Sequence, residues 1–141
     1  MNSVAFMTTW ETFQLDPWIA VNESDSISES FAGWHTLVIQ IADDAVSYYI
    51  DGESTATHGE DFYPEVPMSI NYNLWFVNGG LARSDEQREY IEQIDWVYFA
   101  GNTVLEPEEI EAQVEVLRDD DMTFIDTVPE WDPPLESPCN F

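Results

Sequence analysis

Between residues 35 and 51 the side chains follow a period of two, the spacing of an extended strand. Residues 35–42 set Leu37, Ile39 and Ile41 on one face and Thr36, Val38 and Gln40 on the other. Asp43-Asp44 turns the chain into residues 45–51, where Val46, Tyr48 and Ile50 oppose Ser47, Tyr49 and Asp51, so a β-hairpin is expected. The pattern returns at residues 67–76. There Met68, Ile70, Tyr72, Leu74 and Phe76 form an apolar face opposite Ser69, Asn71, Asn73 and Trp75. Residues 90–99 are apolar on both faces and read as a strand central in a sheet. A chain written this way is expected to be all-β.

The punctuation supports that reading. Asp51-Gly52 is a turn signal, followed by a polar stretch through His58, Gly59 and Pro64, and Asn78-Gly79-Gly80 ends the run at 67–76. The Ser- and acid-rich residues 22–30 read as a loop in which Glu23, Asp25 and Glu29 are solvated. After Gly101 the period changes. Pro107 suits a first helical turn, acids crowd that turn, and Ile110, Val114 and Leu117 recur at helical spacing, so one amphipathic helix of about three turns is expected. Beyond residue 119 a short β-like piece at 123–125 precedes an irregular, Pro- and Trp-rich tail.

Charge narrows the functions available. The 141 residues hold 29 acids against Arg83, Arg88 and Arg118 and no lysine, for a net charge of -26. Such a surface repels phosphate backbones and anionic membranes, which are bound through Lys/Arg clusters, so neither nucleic acid nor membrane is an expected partner. Neutral sugars, cations and basic partners remain. Self-repulsion also opposes a compact state at low ionic strength. Salt relieves it, the Debye length falling to roughly 3 Å at 1 M, and a halophilic setting is therefore expected. Cys139 is the only cysteine, which rules out an intrachain disulfide. Neither an export signal nor a run of about 18 apolar residues is found, so the chain reads as soluble.

An exposed strand face bearing Asn71, Asn73 and Trp75 in register suits a sugar, because amides hydrogen-bond hydroxyls and an indole covers an apolar sugar face. Alternation alone equally allows a solvated sheet face with a stray aromatic. The order of motifs adds to this. Phe31-Ala32-Gly33-Trp34-His35-Thr36 comes first, then Val46-Ser47-Tyr48-Tyr49-Ile50-Asp51-Gly52. Pro67-Met68-Ser69-Ile70-Asn71-Tyr72-Asn73-Leu74-Trp75 follows, and Ile94-Asp95-Trp96-Val97-Tyr98 comes last. In this order they resemble glycoside hydrolase family 16, which includes the lichenases and laminarinases. The resemblance spans roughly residues 31 to 99.

The resemblance implies a concanavalin A-like jelly-roll β-sandwich, here partial or reduced, over residues 1–101, with the helix and tail of 102–141 packed on it. It implies recognition of a β-1,3 or mixed-linkage glucan. Carried over by position, Asn73 and Trp75 match residues lining the family's substrate cleft, and Asn71 and Tyr49 join them as secondary candidates. Asp95 matches an aspartate that in many members helps hold a structural calcium, a hard cation suited to oxygen donors. No other cofactor is implied, and family members are commonly secreted.

The family's chemistry is retaining endo-β-glucan hydrolysis by two glutamates about 5 Å apart, on a Glu-x-Asp-x-Glu or Glu-x-Asp-x-x-Glu strand. This chain has no strand with that spacing. Glu23, Asp25 and Glu29 come nearest, and counting back from His35 places the family's catalytic strand just before Met1, with residues 4–13 as the strand after it. The chain thus reads as the C-terminal half of such a sandwich, not expected to hydrolyse alone, with exposed apolar faces that call for self-association or for the missing N-terminal half. A non-catalytic lectin-like or structural module is the alternative. His35 and His58, the only histidines, are distant in sequence and suggest neither a metal site nor a Ser-His triad.

Overall fold

The computed structural model describes residues 3–66, 68–74 and 86–129. Strands β1 (Ser3–Gln14) and β2 (Ile19–Glu29) pair as an antiparallel hairpin, while β3 (Leu37–Ala42), β4 (Ala45–Ile50) and β5 (Glu53–His58) form a second antiparallel sheet in chain order. One helix, α1 (Pro107–Asp119), follows. The described residues are therefore all-β with a single helix.

The β3–β4 hairpin turns at Asp43 and Asp44, both at positive φ (52° and 57°), and β4–β5 turns at Asp51 and Gly52, at 51° and 82°. Two consecutive left-handed residues match the right-handed twist of the strands they join, and Asp and Gly tolerate that conformation best. The alternation of residues 35–51 thus becomes the β3–β4 pair, with Leu37 opposite Ile50 and Ile39 opposite Tyr48. The third strand, β5, was not expected. Its Thr and Ser residues lack an apolar stripe, and its pairing to β4 supplies the order that the pattern does not.

A second correction concerns residues 22–30. They are not a loop: β2 runs through Glu29, paired to β1 from Ser3↔Glu29 to Gln14↔Ile19. Period two was present, Asn22, Ser24, Ser26 and Ser28 alternating with Glu23, Asp25, Ile27 and Glu29, but in residues of low strand propensity. Cross-strand pairing overrides that propensity. In β1 the register shifts between Trp10 and Thr12, leaving Glu11 as a bulge.

Facing pairs lie on one face, so Met7, Thr9, Glu23 and Asp25 share the inner face of the hairpin, and Phe6, Thr8, Trp10, Asn22 and Ser24 share the outer. The inner face meets the second sheet at β4 and β5. Of the described hydrophobic residues, Met7, Val38, Val46 and Val114 are buried. Leu37, Ile39 and Ile41 lie on the same face as Val46 and Tyr48 yet remain exposed, a stripe along β3, whose outer edge pairs with no described strand.

Helix α1 starts as expected. Glu106 and Glu109 form a capping box, Pro107 occupies the first turn with Glu108 and Glu109, and Arg118 lies in the last turn, each placement favourable to the helix dipole. Val114 is buried with Ile110 and Leu117 half-buried beside it, the stripe that the spacing predicts. The segment entering α1 lies against β3, where Gln40 Nε2 donates to the Leu105 carbonyl at 2.5 Å.

The remaining expected strands are corrected. The described residues of 67–76, namely 68–74, form no strand, and Met68, Ile70, Tyr72 and Leu74 are exposed. Residues 90–99 and 123–125 are not strands either, and Ile91, Phe99 and Phe124 face solvent. Side-chain alternation is not sufficient for a strand. Its backbone groups need a neighbouring strand, and neither edge of the described sheets takes these segments as one.

Candidate functional site

The best-built polar cluster joins the two sheets. His58, at the end of β5, is fully buried. Its Nδ1 lies 2.6 Å from Thr9 Oγ1 of β1 and its Nε2 lies 3.3 Å from Asp25 Oδ2 of β2. Thr9 Oγ1 also lies 2.6 Å from the Tyr48 hydroxyl of β4, whose ring sits 5.2 Å from the imidazole.

Donor and acceptor counting gives this chain a direction. As a carboxylate, Asp25 only accepts, so His58 Nε2 carries a hydrogen, and in the neutral ring Nδ1 is then the acceptor. Thr9 donates to Nδ1. Tyr48 therefore donates to Thr9, and the chain runs Tyr48 → Thr9 → His58 → Asp25. Thr9 both gives and receives a hydrogen bond, and the imidazole is sealed from water. The array holds the sheets together and presents no free nucleophile. This corrects one expectation: Asp25 is not simply solvated, since one of its carboxylate oxygens meets His58. The period-two pattern of residues 22–30 was the signal that would have placed Asp25 on the face meeting His58.

The second histidine is also paired. His35 Nδ1 lies 2.7 Å from Asp51 Oδ2, the Thr36 amide donates to Asp51 Oδ1 at 2.9 Å, and the Asp51 amide donates to the Thr36 carbonyl at 2.9 Å. The hydrogen bond from His35, then that from the Thr36 amide, holds the Asp51 carboxyl below its usual range. The edge of Phe31 meets His35 at 5.6 Å between ring centroids. His35 Nε2 is buried without a partner, an arrangement that costs least when that nitrogen is a bare acceptor and Nδ1 holds the hydrogen.

Three of the four residues expected to bind sugar lie among the described residues. Asn71 and Asn73 are exposed in the irregular segment 68–74, where Asn71 donates to Ser69 Oγ at 2.8 Å. Tyr49 is half-buried in β4, and its hydroxyl donates to Gln40 Oε1 at 3.0 Å, on the sheet face that meets the entry to α1. Trp75 lies outside the described residues.

Asp95 receives a hydrogen bond from Arg118 Nη2. A calcium ion needs six to eight oxygens, and among the described residues no group of three or more His, Cys, Asp or Glu side chains is gathered to hold a metal. No helix among the described residues is long and apolar enough to cross a membrane.

Glu23, Asp25 and Glu29 share one face of β2, as a catalytic carboxylate strand would arrange them. The two glutamates are nevertheless six residues apart, roughly 20 Å along a strand, against the roughly 5 Å that a retaining pair requires. No family model, curated protein or solved structure matches the chain.

Proposed function

We propose that the chain is a glycan-recognising domain of the glycoside hydrolase family 16 type, a partial jelly roll from a β-glucan-active O-glycosyl hydrolase, acting through binding and not through hydrolysis of its own. The observation that carries this reading is the clasp at Asp51. It joins His35 and Thr36 of the first resemblance motif to the Asp-Gly turn of the second by the His35–Asp51 side-chain hydrogen bond and two further bonds. Motifs that define a family by order are expected to be neighbours in its fold, and these two are.

A non-catalytic lectin-like module is the second reading, favoured by the roughly 20 Å separating Glu23 from Glu29 on β2. Both readings expect binding. They part on whether an added N-terminal half restores cleavage.

The test is binding and hydrolysis of laminarin and mixed-linkage β-glucan by the purified chain in molar salt. Binding without release of reducing ends is expected, weakened by roughly 1 kcal/mol or more in Trp75→Ala if that indole stacks on a sugar. A folded chain that binds neither glucan would refute the glycan reading, and cleavage by the isolated chain would refute the claim of catalytic incompleteness.

A further inference from the structure

We propose that the outer face of the β1–β2 hairpin is a binding surface for a neutral polysaccharide chain. The inference rests on the glycan reading above and gives it a site that sequence reasoning did not find.

The β-bulge builds this surface. Trp10 and Phe13 are three residues apart and would point to opposite faces of a regular strand. Glu11 is extra in the register, so Trp10 faces Asn22 and Phe13 faces Ala20, both on the outer face. The rings meet edge to face at 5.8 Å and 86°. Trp18, in the turn, continues the row against Phe13 at 5.3 Å and 88°. Trp10, Phe13 and Trp18 are 50%, 54% and 67% exposed and touch one another in series, so they form a contiguous exposed aromatic patch.

The opposite rail is polar. Asn22 and Ser26 stand beside Trp10 and Phe6, and Ser24 faces Thr8 with their hydroxyls 2.8 Å apart. Every acid of β2 points the other way, since Glu23, Asp25 and Glu29 share the inner face. In a chain with 29 acids, the paired positions of this outer face carry no charge.

A row of aromatic rings beside a row of hydroxyls and an amide matches one ligand chemistry. A pyranose has apolar C–H faces, which pack on rings, and a rim of hydroxyls, which pair with Ser, Thr and Asn. An anion gains nothing from an uncharged patch inside a strongly negative field. An apolar protein surface would cover the rings but offer nothing polar to Asn22 and Ser26, at a cost in desolvation.

The test is calorimetric titration of laminarin and of mixed-linkage β-glucan into the full chain in molar potassium chloride. It compares wild type with Trp10→Ala, Phe13→Ala and Trp18→Ala, with exposed Trp34→Ala as the control and Trp75→Ala marking the cleft of the glycan reading. Trp10, Phe13, Trp18 and Trp34 are exposed, so far-ultraviolet circular dichroism should report an intact fold in their variants. Each of the three outer-face substitutions is expected to weaken binding roughly fivefold to tenfold while Trp34→Ala leaves it unchanged. Wild-type binding that survives the Trp10→Ala/Phe13→Ala double substitution overturns this inference and leaves the glycan reading with a site elsewhere. Absence of binding to either glucan by folded wild type overturns both.

Discussion

Thr9→Val removes one oxygen from the centre of the inter-sheet hydrogen-bond chain while nearly keeping the side chain's shape. Two groups lose their partner. His58 Nδ1 is left as an acceptor with no donor in a fully buried ring, and the Tyr48 hydroxyl loses its acceptor. An unsatisfied buried polar group costs about 1–3 kcal/mol, and half-buried Tyr48 falls at the lower end because water can reach it. The sum is about 2–3 kcal/mol, a large fraction of the roughly 5–15 kcal/mol that holds a domain folded. Thr9→Ser keeps the hydroxyl and loses only a methyl group, costing about 1 kcal/mol. Urea unfolding at fixed molar salt measures both. With slopes of roughly 1–3 kcal/mol per molar for small proteins, valine should lower the midpoint by about 1 M or more at unchanged slope, and serine by less than half of that. Valine as stable as wild type, or serine as damaging as valine, would refute the role of the Thr9 hydroxyl as the link between His58 and Tyr48.

Three further tests probe separate features. Asp51→Asn keeps a residue that tolerates positive φ but removes the charge that His35 and the Thr36 amide stabilise. Because those bonds depress the folded pKa, their contribution is present above the unfolded value of about 4 and is lost as pH falls through the folded one. The stability gap between wild type and variant should therefore be open at pH 7 and close in acid, and a gap unchanged near pH 2 would contradict the assignment. Arg118→Gln breaks an ion pair with Asp95 whose partners are both about half exposed, so thermal or urea unfolding should register less than about 1 kcal/mol, and a loss above about 2 kcal/mol would show that the pair anchors α1. Raising potassium chloride from about 0.1 M to about 2 M should raise the unfolding midpoint of a chain at -26, and a flat response would sink the expectation of salt adaptation.

Much of the β architecture was legible where the code is redundant. In residues 35–51 alternation, turn chemistry and strand propensity agree, and the β3–β4 hairpin has the expected faces and turns. The start of α1 was equally plain, because proline, clustered acids and apolar spacing all point to residue 107. Two strands escaped because one signal was absent: β5 has strand formers without an apolar stripe, and β2 has the period without the propensity. Residues 90–99 fail in the opposite way, with the composition of a central strand but no strand pairing among the described residues. The cluster at His58 was hidden by distance, since its members come from β1, β2, β4 and β5 and only the register of the hairpin brings Asp25 to the imidazole. The aromatic row on the outer face depends on the bulge at Glu11, which no residue pattern announces.

The edge of β3, unpaired among the described residues and with Leu37, Ile39 and Ile41 exposed beside it, sets two forces of different reach against each other. Like-charge repulsion between two copies acts across the solvent, whereas strand addition acts only at contact, when backbone groups and apolar side chains meet. Association through such a strip is therefore expected to be limited by the electrostatic barrier rather than by the strength of the contact behind it, so that light scattering across a salt series should show an onset that depends steeply on ionic strength.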